Sequence, residues 1–436
     1  MPTPSGTPAT TAPSTRAAAG ATAGAGTPGV SVPAPVNVHA ATAARPTPLP
    51  AWMVVLLASA CGLIAANLYY AQPLIGMIAP ALALDEVYAS LIVTLTQLGY
   101  CAGLVLLVPL GDLVENRRLV LLAVGGAAGA LVLASVAPSA PWFLLASLSI
   151  GLGSVAVQML VPIAAHLAPD ATRGRVVGNV MSGLLLGIML ARPVSSMLAG
   201  SFGWRVVFAG SAIMMVVLAG VLWRLLPRRM PPARVSYGAL IGSLWTLLLA
   251  TPLLRRRAAY QAALFASFSL YWTAVPLLLA GPVYGFTPRG IALFALAGAA
   301  GAVAAPIAGR LADRGFTRIA TGVALAMVAL AFVLAWAGGT GALVPLLLGG
   351  IVLDLGVQAN LVLGQRAIYA LGAQTRSRMN GLYMAIFFAG GAVGSAVASV
   401  ALHRGGWPVV AALGGAFPLV ALLAHLMERP AAAAAA

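Results

Sequence analysis

Long apolar runs recur along this chain, and each is about as long as a helix that crosses a lipid bilayer. A bilayer core requires about 20 apolar residues per helix. Hydrophobic residues make up 61% of the 436 positions and charged residues only 7%, a balance that a water-soluble core could not bury. We therefore predict an all-α integral membrane protein with twelve transmembrane helices. The predicted spans, numbered 1 to 12 in chain order, are 52–75, 87–110, 119–137, 142–166, 177–200, 205–226, 259–281, 290–310, 318–337, 342–364, 379–401 and 407–427.

Short motifs of the first six spans return in the last six. Leu68-Tyr69-Tyr70 is echoed by Leu270-Tyr271-Trp272, and Val157-Gln158 is echoed by Val357-Gln358. Internal repeats of this kind produce two related halves with a site between them. We predict two six-helix halves related by a pseudo-twofold axis.

The distribution of arginine predicts the orientation of these spans. With the N-terminus in the cytoplasm, Arg205, Arg289 and Arg404 face outward, and the loops on the inside carry most of the other arginines. This asymmetry follows the positive-inside rule loop after loop. We expect a multi-pass protein of the inner (plasma) membrane with both termini in the cytoplasm. The arginines placed inside are Arg117, Arg118, Arg173, Arg175, the cluster at 224–257, Arg314, Arg318, Arg376 and Arg378.

The segment between the halves contains a further apolar stretch, 235–254, with arginines on both sides. It could be a thirteenth span, but crossing there would invert the whole second half. We favour an interfacial helix on the inner leaflet. The predicted domains are a disordered cytoplasmic tail at 1–50, the first half at 51–226, an Arg-rich cytoplasmic linker with this helix at 227–257, the second half at 258–428 and a short cytoplasmic tail at 429–436.

Composition excludes several functions. All 24 basic residues are arginine, so a phosphate loop of the form GxxxxGK[ST] cannot exist and ATP hydrolysis is not expected. The net charge of +16 fits membrane topology better than nucleic-acid binding. The histidines are too scattered for a metal site, and Cys61 and Cys101 lie in apolar segments as free thiols. We expect no enzyme activity, no catalytic residues, no metal and no cofactor.

Several motifs carry a family resemblance. An acid and arginines follow span 2 in 111–118, and a similar turn follows span 8 in 309–315. With twelve spans in two halves, these turns resemble those of the major facilitator superfamily. The stretches 66–74, 109–112 and 184–192, together with Gly203-Trp204-Arg205, are similar to the branch of predicted arabinose or nucleoside efflux permeases.

This resemblance implies that spans 1, 4, 7 and 10 line a central cavity. Polar and aromatic residues fall in those spans and suit a neutral solute that bears hydroxyl groups or rings. Alternatively, the aromatic residues only pack or mark the membrane interface. The candidate cavity residues are Asn67, Tyr70 and Gln72 in span 1, Gln158 in span 4, Tyr271 and Trp272 in span 7, and Gln358 in span 10.

Asp354 is the one acid, of eight in the chain, that falls inside a predicted span. An ionisable group there costs on the order of 2.5 to 3.5 kcal/mol, so it should face protein or water. We interpret Asp354 as a proton-coupling carboxylate. The alternative is a carboxylate permanently paired with an arginine or bonded to a helix end.

Arg192 lies within span 5, roughly 22 Å along the helix from its cytoplasmic end at the usual helical rise. Three roles remain open. It could bind an anionic or hydroxyl-rich solute, it could be the counter-ion of Asp354, or it could extend outward to the membrane surface beside a kink at Pro193.

Asp112 and Asp313 look like the superfamily's cytoplasmic gate residues, with Arg117, Arg118 and Arg314 beside them. A carboxylate can bind a helix N-terminus and nearby arginines and so favour one closed state. We expect Asp112 to pair near Arg376 and Arg378. We expect Asp313 to pair near Arg173 and Arg175 at the start of span 5. Alternatively, all these charges only set the topology.

Together these features predict a secondary active transporter. We expect proton-coupled efflux of a small organic solute, such as a sugar or nucleoside, by alternating access. A multidrug-type proton antiporter, an uptake carrier and a membrane sensor that transports nothing are the alternatives. The expected partners are the solute, protons and the lipid bilayer, with no nucleic acid, and the protein is expected to be a monomer.

Overall fold

The computed structural model describes residues 49–230, 236–372 and 375–428. Nearly all of the predicted tail at 1–50, the tail at 429–436 and residues 231–235 of the linker lie outside the described residues. The secondary-structure elements of the described residues are α-helices and 3₁₀ helices. This confirms the predicted all-α fold class.

Eight α-helices form the first half, one lies in the linker, and six form the second half. The first eight are α1 (Ala51–Ala66), α2 (Ile75–Ala81), α3 (Leu91–Leu106), α4 (Asn116–Val136), α5 (Ala140–Ser154), α6 (Ala156–Leu167), α7 (Arg173–Phe202) and α8 (Trp204–Leu225). The linker contains α9 (Tyr237–Ala250). The remaining six are α10 (Pro252–Ala280), α11 (Pro288–Ala295), α12 (Ala304–Asp313), α13 (Thr317–Trp336), α14 (Leu343–Tyr369) and α15 (Arg376–Leu426).

Among the described residues, nine helical segments are long and apolar enough to cross a membrane. One of them, α15, is 51 residues long and is broken at Gly406, where φ is 65°. Predicted span 1 is interrupted between α1 and α2, and predicted span 8 contains a 3₁₀ segment at Leu296–Val303 between α11 and α12. Each of the twelve predicted spans thus overlaps a helix or an interrupted helical segment.

Glycines bring equivalent helices together in the two halves. In the first half α1 packs on α7, and a Cβ atom on Gly62 would lie 2.5 Å from the carbonyl oxygen of Gly183. In the second half α10 packs on α15, and a Cβ on Gly390 would lie 2.6 Å from Cα of Ala262. Small residues permit this close backbone approach, which is how helices associate in lipid.

The two halves contact each other through α3 with α15 and through α7 with α11. The hydroxyl groups of Thr94 and Ser395 are 3.0 Å apart, and Ser196 Oγ donates to the carbonyl oxygen of Pro288 at 2.7 Å. In contrast, α12 packs on α13 and α14 within its own half. The inter-half contacts of α7 therefore lie toward the end of the molecule that carries Arg289, opposite to the end that carries Asp313.

The linker helix α9 contacts both halves. Tyr237 Oη donates to the carbonyl oxygen of Leu106 at 2.9 Å, and Arg378 Nη1 donates to Ser243 Oγ at 3.5 Å. Leu244 packs in a small apolar cluster with Leu254 of α10. At the usual rise, its 14 residues span about 21 Å, less than a bilayer core of about 30 Å.

Candidate functional site

Trp272 of α10 lies at the centre of the candidate site. Its side chain is fully buried, and its Nε1 atom donates to Oδ1 of Asp354 on α14 at 2.9 Å. Asp354 is only 4% exposed. A hydrogen bond from a neutral donor offsets part of the cost of burying a carboxylate. The acid predicted to face protein or water inside a span is therefore directed into the protein.

Arg192 of α7 approaches the same indole from the first half. Its Nε atom donates to Oε1 of Gln72 at 2.7 Å. The guanidinium carbon lies 5.1 Å, 5.0 Å and 4.6 Å from the ring centres of Tyr69, Phe268 and Trp272. At these distances each ring attracts the cation. Arg192 is 4% exposed, so the alternative in which it extends outward to the membrane surface is wrong.

Arg192 and Asp354 are brought together around one side chain. The guanidinium lies over the face of the Trp272 indole, and the carboxylate lies at its N–H edge. Within the described residues, the salt bridges do not include one between these two groups. The Trp272 indole therefore contacts two opposite charges, and no direct salt bridge joins them among the described residues.

A cavity of about 30 Å³ opens beside these charges. It lies on the side of Arg192 that faces the N-terminal end of α7, and Gln358 lines it one helical turn from Asp354. The structure thus places Trp272, Arg192, Asp354 and Gln358 at one site. The lining consists of Leu185, Ile188, Met189, Arg192, Phe268, Ala295, Gly298, Asp354 and Gln358.

Two predicted cavity residues of span 1 face elsewhere. Asn67 accepts a hydrogen bond from Ser211 Oγ at 2.6 Å, toward α8. Tyr70 lines a separate groove between α1 and α7, whereas its neighbour Tyr69 contacts Arg192. The chain between α1 and the 3₁₀ segment Gln72–Leu74 is a series of turns. Helical periodicity therefore could not tell which of the two tyrosines faces inward.

Tyr271 and Gln158 also lie outside this cavity. Tyr271 donates to the carbonyl oxygen of Leu346 at 2.7 Å and packs against Phe332 and Trp407 inside the second half. Gln158 donates to Tyr100 Oη at 3.1 Å. It lines a different cavity of about 200 Å³ that also includes Asp112. The two repeated glutamines therefore do not face a common space.

The acidic turns pair differently from the prediction. Asp313 forms an ion pair with Arg366 of α14, and Arg173 forms one with Asp170 of its own loop. The predicted pairing of Asp313 with Arg173 or Arg175 is therefore wrong in this structure. Arg366 escaped prediction because it lies in the last turn of α14, outside the repeated Thr-Arg-x-Arg loops.

The other predicted gate residues lie around the same end of the molecule. Asp112 and Arg378 line one small cavity next to Leu240 of α9. Arg376 donates to the carbonyl oxygen of Tyr369 at 3.2 Å. The guanidinium of Arg117 lies 5.9 Å from the Trp223 ring, while Arg118 and Arg314 are exposed at helix ends.

Sequence reasoning missed Tyr69 and Phe268, two of the three rings around Arg192. Phe268 precedes Trp272 by four residues on a continuous helix, so a shared face could have been inferred. Tyr69 precedes Gln72 by three residues, and both contact Arg192. The sequence does not show which helices the side chain of Arg192 faces, because the packing of α7 on the other helices determines this.

A bundle of apolar helices in two halves, with a buried charged site between them, is typical of membrane transport proteins. The sequence profile of the Major Facilitator Superfamily matches residues 55–368 and 302–436. The chain belongs to this superfamily, and it is a multi-pass membrane transporter rather than an enzyme.

Relatives of similar sequence are also described as transporters. "Uncharacterized transporter YgaY" of Escherichia coli O157:H7 is 42% identical over 371 residues, which cover 85% of this chain and 94% of that protein. "Probable transporter SCO4007" of Streptomyces coelicolor is 34% identical over 370 residues, covering 83% and 84%.

Solved structures share the fold at low sequence identity. The nucleoside transporter NupG matches with a TM-score of 0.70 and 14% identity, over 86% of this chain and 99% of that one. A POT family transporter in complex with 5-aminolevulinic acid matches with a TM-score of 0.70 and 14% identity, over 86% and 95%. These likenesses establish the major facilitator fold.

Proposed function

We propose that this transporter exports a small organic solute in exchange for protons by alternating access, with Asp354 as the proton-coupling carboxylate. One observation carries the proposal: Asp354 lines the cavity between the halves, and its side chain is almost wholly buried. A buried carboxylate whose ionic state changes must change its interactions with its surroundings. That change gives a conformational equilibrium a dependence on protons.

The energy for export is available from the membrane gradient. One charge that crosses 100 mV contributes about 2.3 kcal/mol. Asp354 is on α14 of the second half, and Arg192 is on α7 of the first. A charge change at Asp354 therefore alters an interaction across the surface along which the halves would move. This position supports coupling rather than a purely structural carboxylate.

Sequence motifs support export of a small organic solute. The stretches 66–74, 109–112 and 184–192 resemble the arabinose or nucleoside efflux branch, and one structure of the same fold is a nucleoside transporter. On this basis we propose efflux. From the distribution of arginine we also propose cytoplasmic termini, in a monomer of the inner (plasma) membrane. The arginine-rich end would then be cytoplasmic, and Asp112, Asp313 and their neighbours would form the gate there.

The length of α9 supports the proposed interfacial position of the linker. A helix of about 21 Å is too short to cross, and crossing would place one arginine cluster outside. A reporter fused after Arg257 should be found in the cytoplasm. An external reporter would overturn this topology.

Reconstituted vesicles test the proposed function. Radiolabelled arabinose, uridine and norvaline would be offered under an imposed pH gradient. We expect the wild type to move at least one of them uphill, and Asp354→Asn to lose uphill movement while retaining solute exchange. Asp85→Asn is the matched control, because Asp85 is an exposed acid in a loop and its carboxylate accepts a hydrogen bond from the nearby amide of Val87 at 2.8 Å. Equal uphill transport by Asp354→Asn would reject the coupling role.

A further inference from the structure

The described residues leave one donor of Arg192 without a hydrogen-bond partner. Its Nε atom bonds to Gln72, but among the described residues Nη2 has no partner. The Nε2 atom of Gln72 also lacks a partner among them. Both side chains are more than nine-tenths buried. Buried donors without partners are rare in native proteins, and Arg192 itself lines the cavity.

The surroundings of Arg192 fix the plane of its guanidinium. Three aromatic rings lie around it and Gln72 holds its Nε atom. A guanidinium held in this way presents a fixed fork of donors, which matches the two oxygens of a carboxylate. Nη2, which has no partner among the described residues, therefore offers a charged donor to an anion such as a carboxylate.

Asp354 offers the complementary charge at the same cavity. Trp272 donates to Oδ1, and among the described residues Oδ2 has no hydrogen-bond partner. A carboxylate oxygen open to the cavity favours a cation such as an ammonium group. The cavity thus presents donors for an anion and an acceptor for a cation, on two sides of one indole.

The cavity is small and has an apolar wall. About 30 Å³ has room for roughly two water-sized groups. A carboxylate or an ammonium group is of this size. Toward the N-terminal end of α7 the walls are Leu185, Ile188 and Met189, which suit an apolar remainder.

We infer that the solute is a small amino acid or similar zwitterion with an apolar side chain. This inference rests on the proposed transport function. Arg192 Nη2 binds the carboxylate, and Asp354 binds the ammonium group. Because a proton and an ammonium group compete for the same carboxylate, this assignment accounts for exchange of solute against protons.

Equilibrium binding of matched probes tests this assignment. The probes are norvaline, norvalinamide without the carboxylate, pentanoate without the ammonium group, and arabinose, each titrated calorimetrically into the purified protein. We expect norvaline to bind the wild type at least about tenfold more tightly than the other three. Arg192→Gln should lose the preference for norvaline over norvalinamide. Asp354→Asn should lose the preference over pentanoate.

Two further variants separate recognition from folding. Arg192→Lys retains the charge without the fork and should restore part of the preference for norvaline. Arg205→Gln is the control, because Arg205 also stacks on a tryptophan, Trp204, at 4.3 Å but lies outside the cavity. It should bind norvaline like the wild type.

Three results would overturn the zwitterion assignment: equal binding of norvaline and norvalinamide, binding of arabinose at least as tight as that of norvaline, or an undiminished preference in Arg192→Gln. Because the titration uses one pH and no gradient, it tests recognition of the solute separately from uphill transport. Uphill transport of arabinose alone would retain the proposed function and reject this substrate class.

Discussion

The fourth and tenth predicted spans occupy equivalent places in the two halves, yet they differ in chemistry. In the first half, Ser154 donates to the carbonyl oxygen of Ile150 in its own helix, which ends there before α6 begins. In the second half, Asp354 lies within the continuous helix α14 and accepts a hydrogen bond from Trp272. The two halves therefore share the arrangement of helices, but at this position only the second half carries a charge.

Arg192, the buried arginine of the site, has no charged equivalent in the second half. Arg192 belongs to the first half, and the equivalent stretch of α15 contains Ser395 and glycines instead. Each half therefore contributes one charge to a site that neither contains alone. A charged site divided between moving halves is suited to coupling, because relative movement changes the interaction between its parts.

The largest effect is expected when the acid is moved to the other half. In the double variant Ser154→Asp with Asp354→Ser, the new carboxylate would be fully buried with no indole donor. We expect a loss of about 3 kcal/mol, the scale for a charge inside a membrane helix, and no proton-coupled transport. Thermal unfolding in detergent and vesicle transport measure both. Asp354→Ser alone is the control, and it should fold stably without coupling.

Removal of the indole N–H should have the next largest effect. Trp272→Phe retains a ring under Arg192 but removes the donor to Asp354, which costs about 1 to 3 kcal/mol for a buried charged acceptor. We expect proton-driven transport to fall at least about tenfold, since each 1.4 kcal/mol is tenfold. Trp407→Phe is the control: Trp407 donates to the carbonyl oxygen of Ala335 at 2.6 Å, away from the cavity. Similar transport losses in both variants would contradict a specific role for Trp272.

Substitutions at Gly62 and Gly390 test whether the two halves share the same close packing of helices. Gly62→Ala and Gly390→Ala each insert a methyl group against backbone atoms, and overpacking costs about 1 to 3 kcal/mol. We expect similar decreases in melting temperature for both variants. Gly126→Ala is the control, because a Cβ there would meet no atom within 4 Å. A stable Gly62→Ala beside an unstable Gly390→Ala would show that the helix packing has also diverged.

The smallest effect is expected at the linker. Tyr237→Phe removes the hydrogen bond from α9 to Leu106 on an exposed surface, worth about 0.5 to 1.5 kcal/mol. We expect a small change in transport rate and greater hydrogen exchange in α9. Tyr88→Phe, at an exposed position of the short 3₁₀ helix Glu86–Tyr88, is the comparison variant. Unaltered exchange in α9 would mean that this tether contributes nothing.

Sequence periodicity predicted the fold well but the site only in part. Apolar length identified the spans, because lipid requires about 20 apolar residues per helix. The cost of a buried charge identified Asp354 and Arg192 as residues of interest. The direction of Asn67 and Tyr70 was not predictable, because span 1 is not a regular helix at that point. The partner of Asp313 was not predictable either, because Arg366 lies outside the repeated Thr-Arg-x-Arg loops.

Proton movement during downhill solute flux tests the coupling role of Asp354 most directly. Vesicles would contain a pH-sensitive dye and the wild type or Asp354→Asn. The solute would be whichever of norvaline, uridine and arabinose the wild type transports. We predict that an imposed solute gradient moves protons in the opposite direction through the wild type, and that the solute flux remaining in Asp354→Asn is not accompanied by protons. Proton movement that persists in Asp354→Asn, or solute flux without protons in the wild type, would contradict the account.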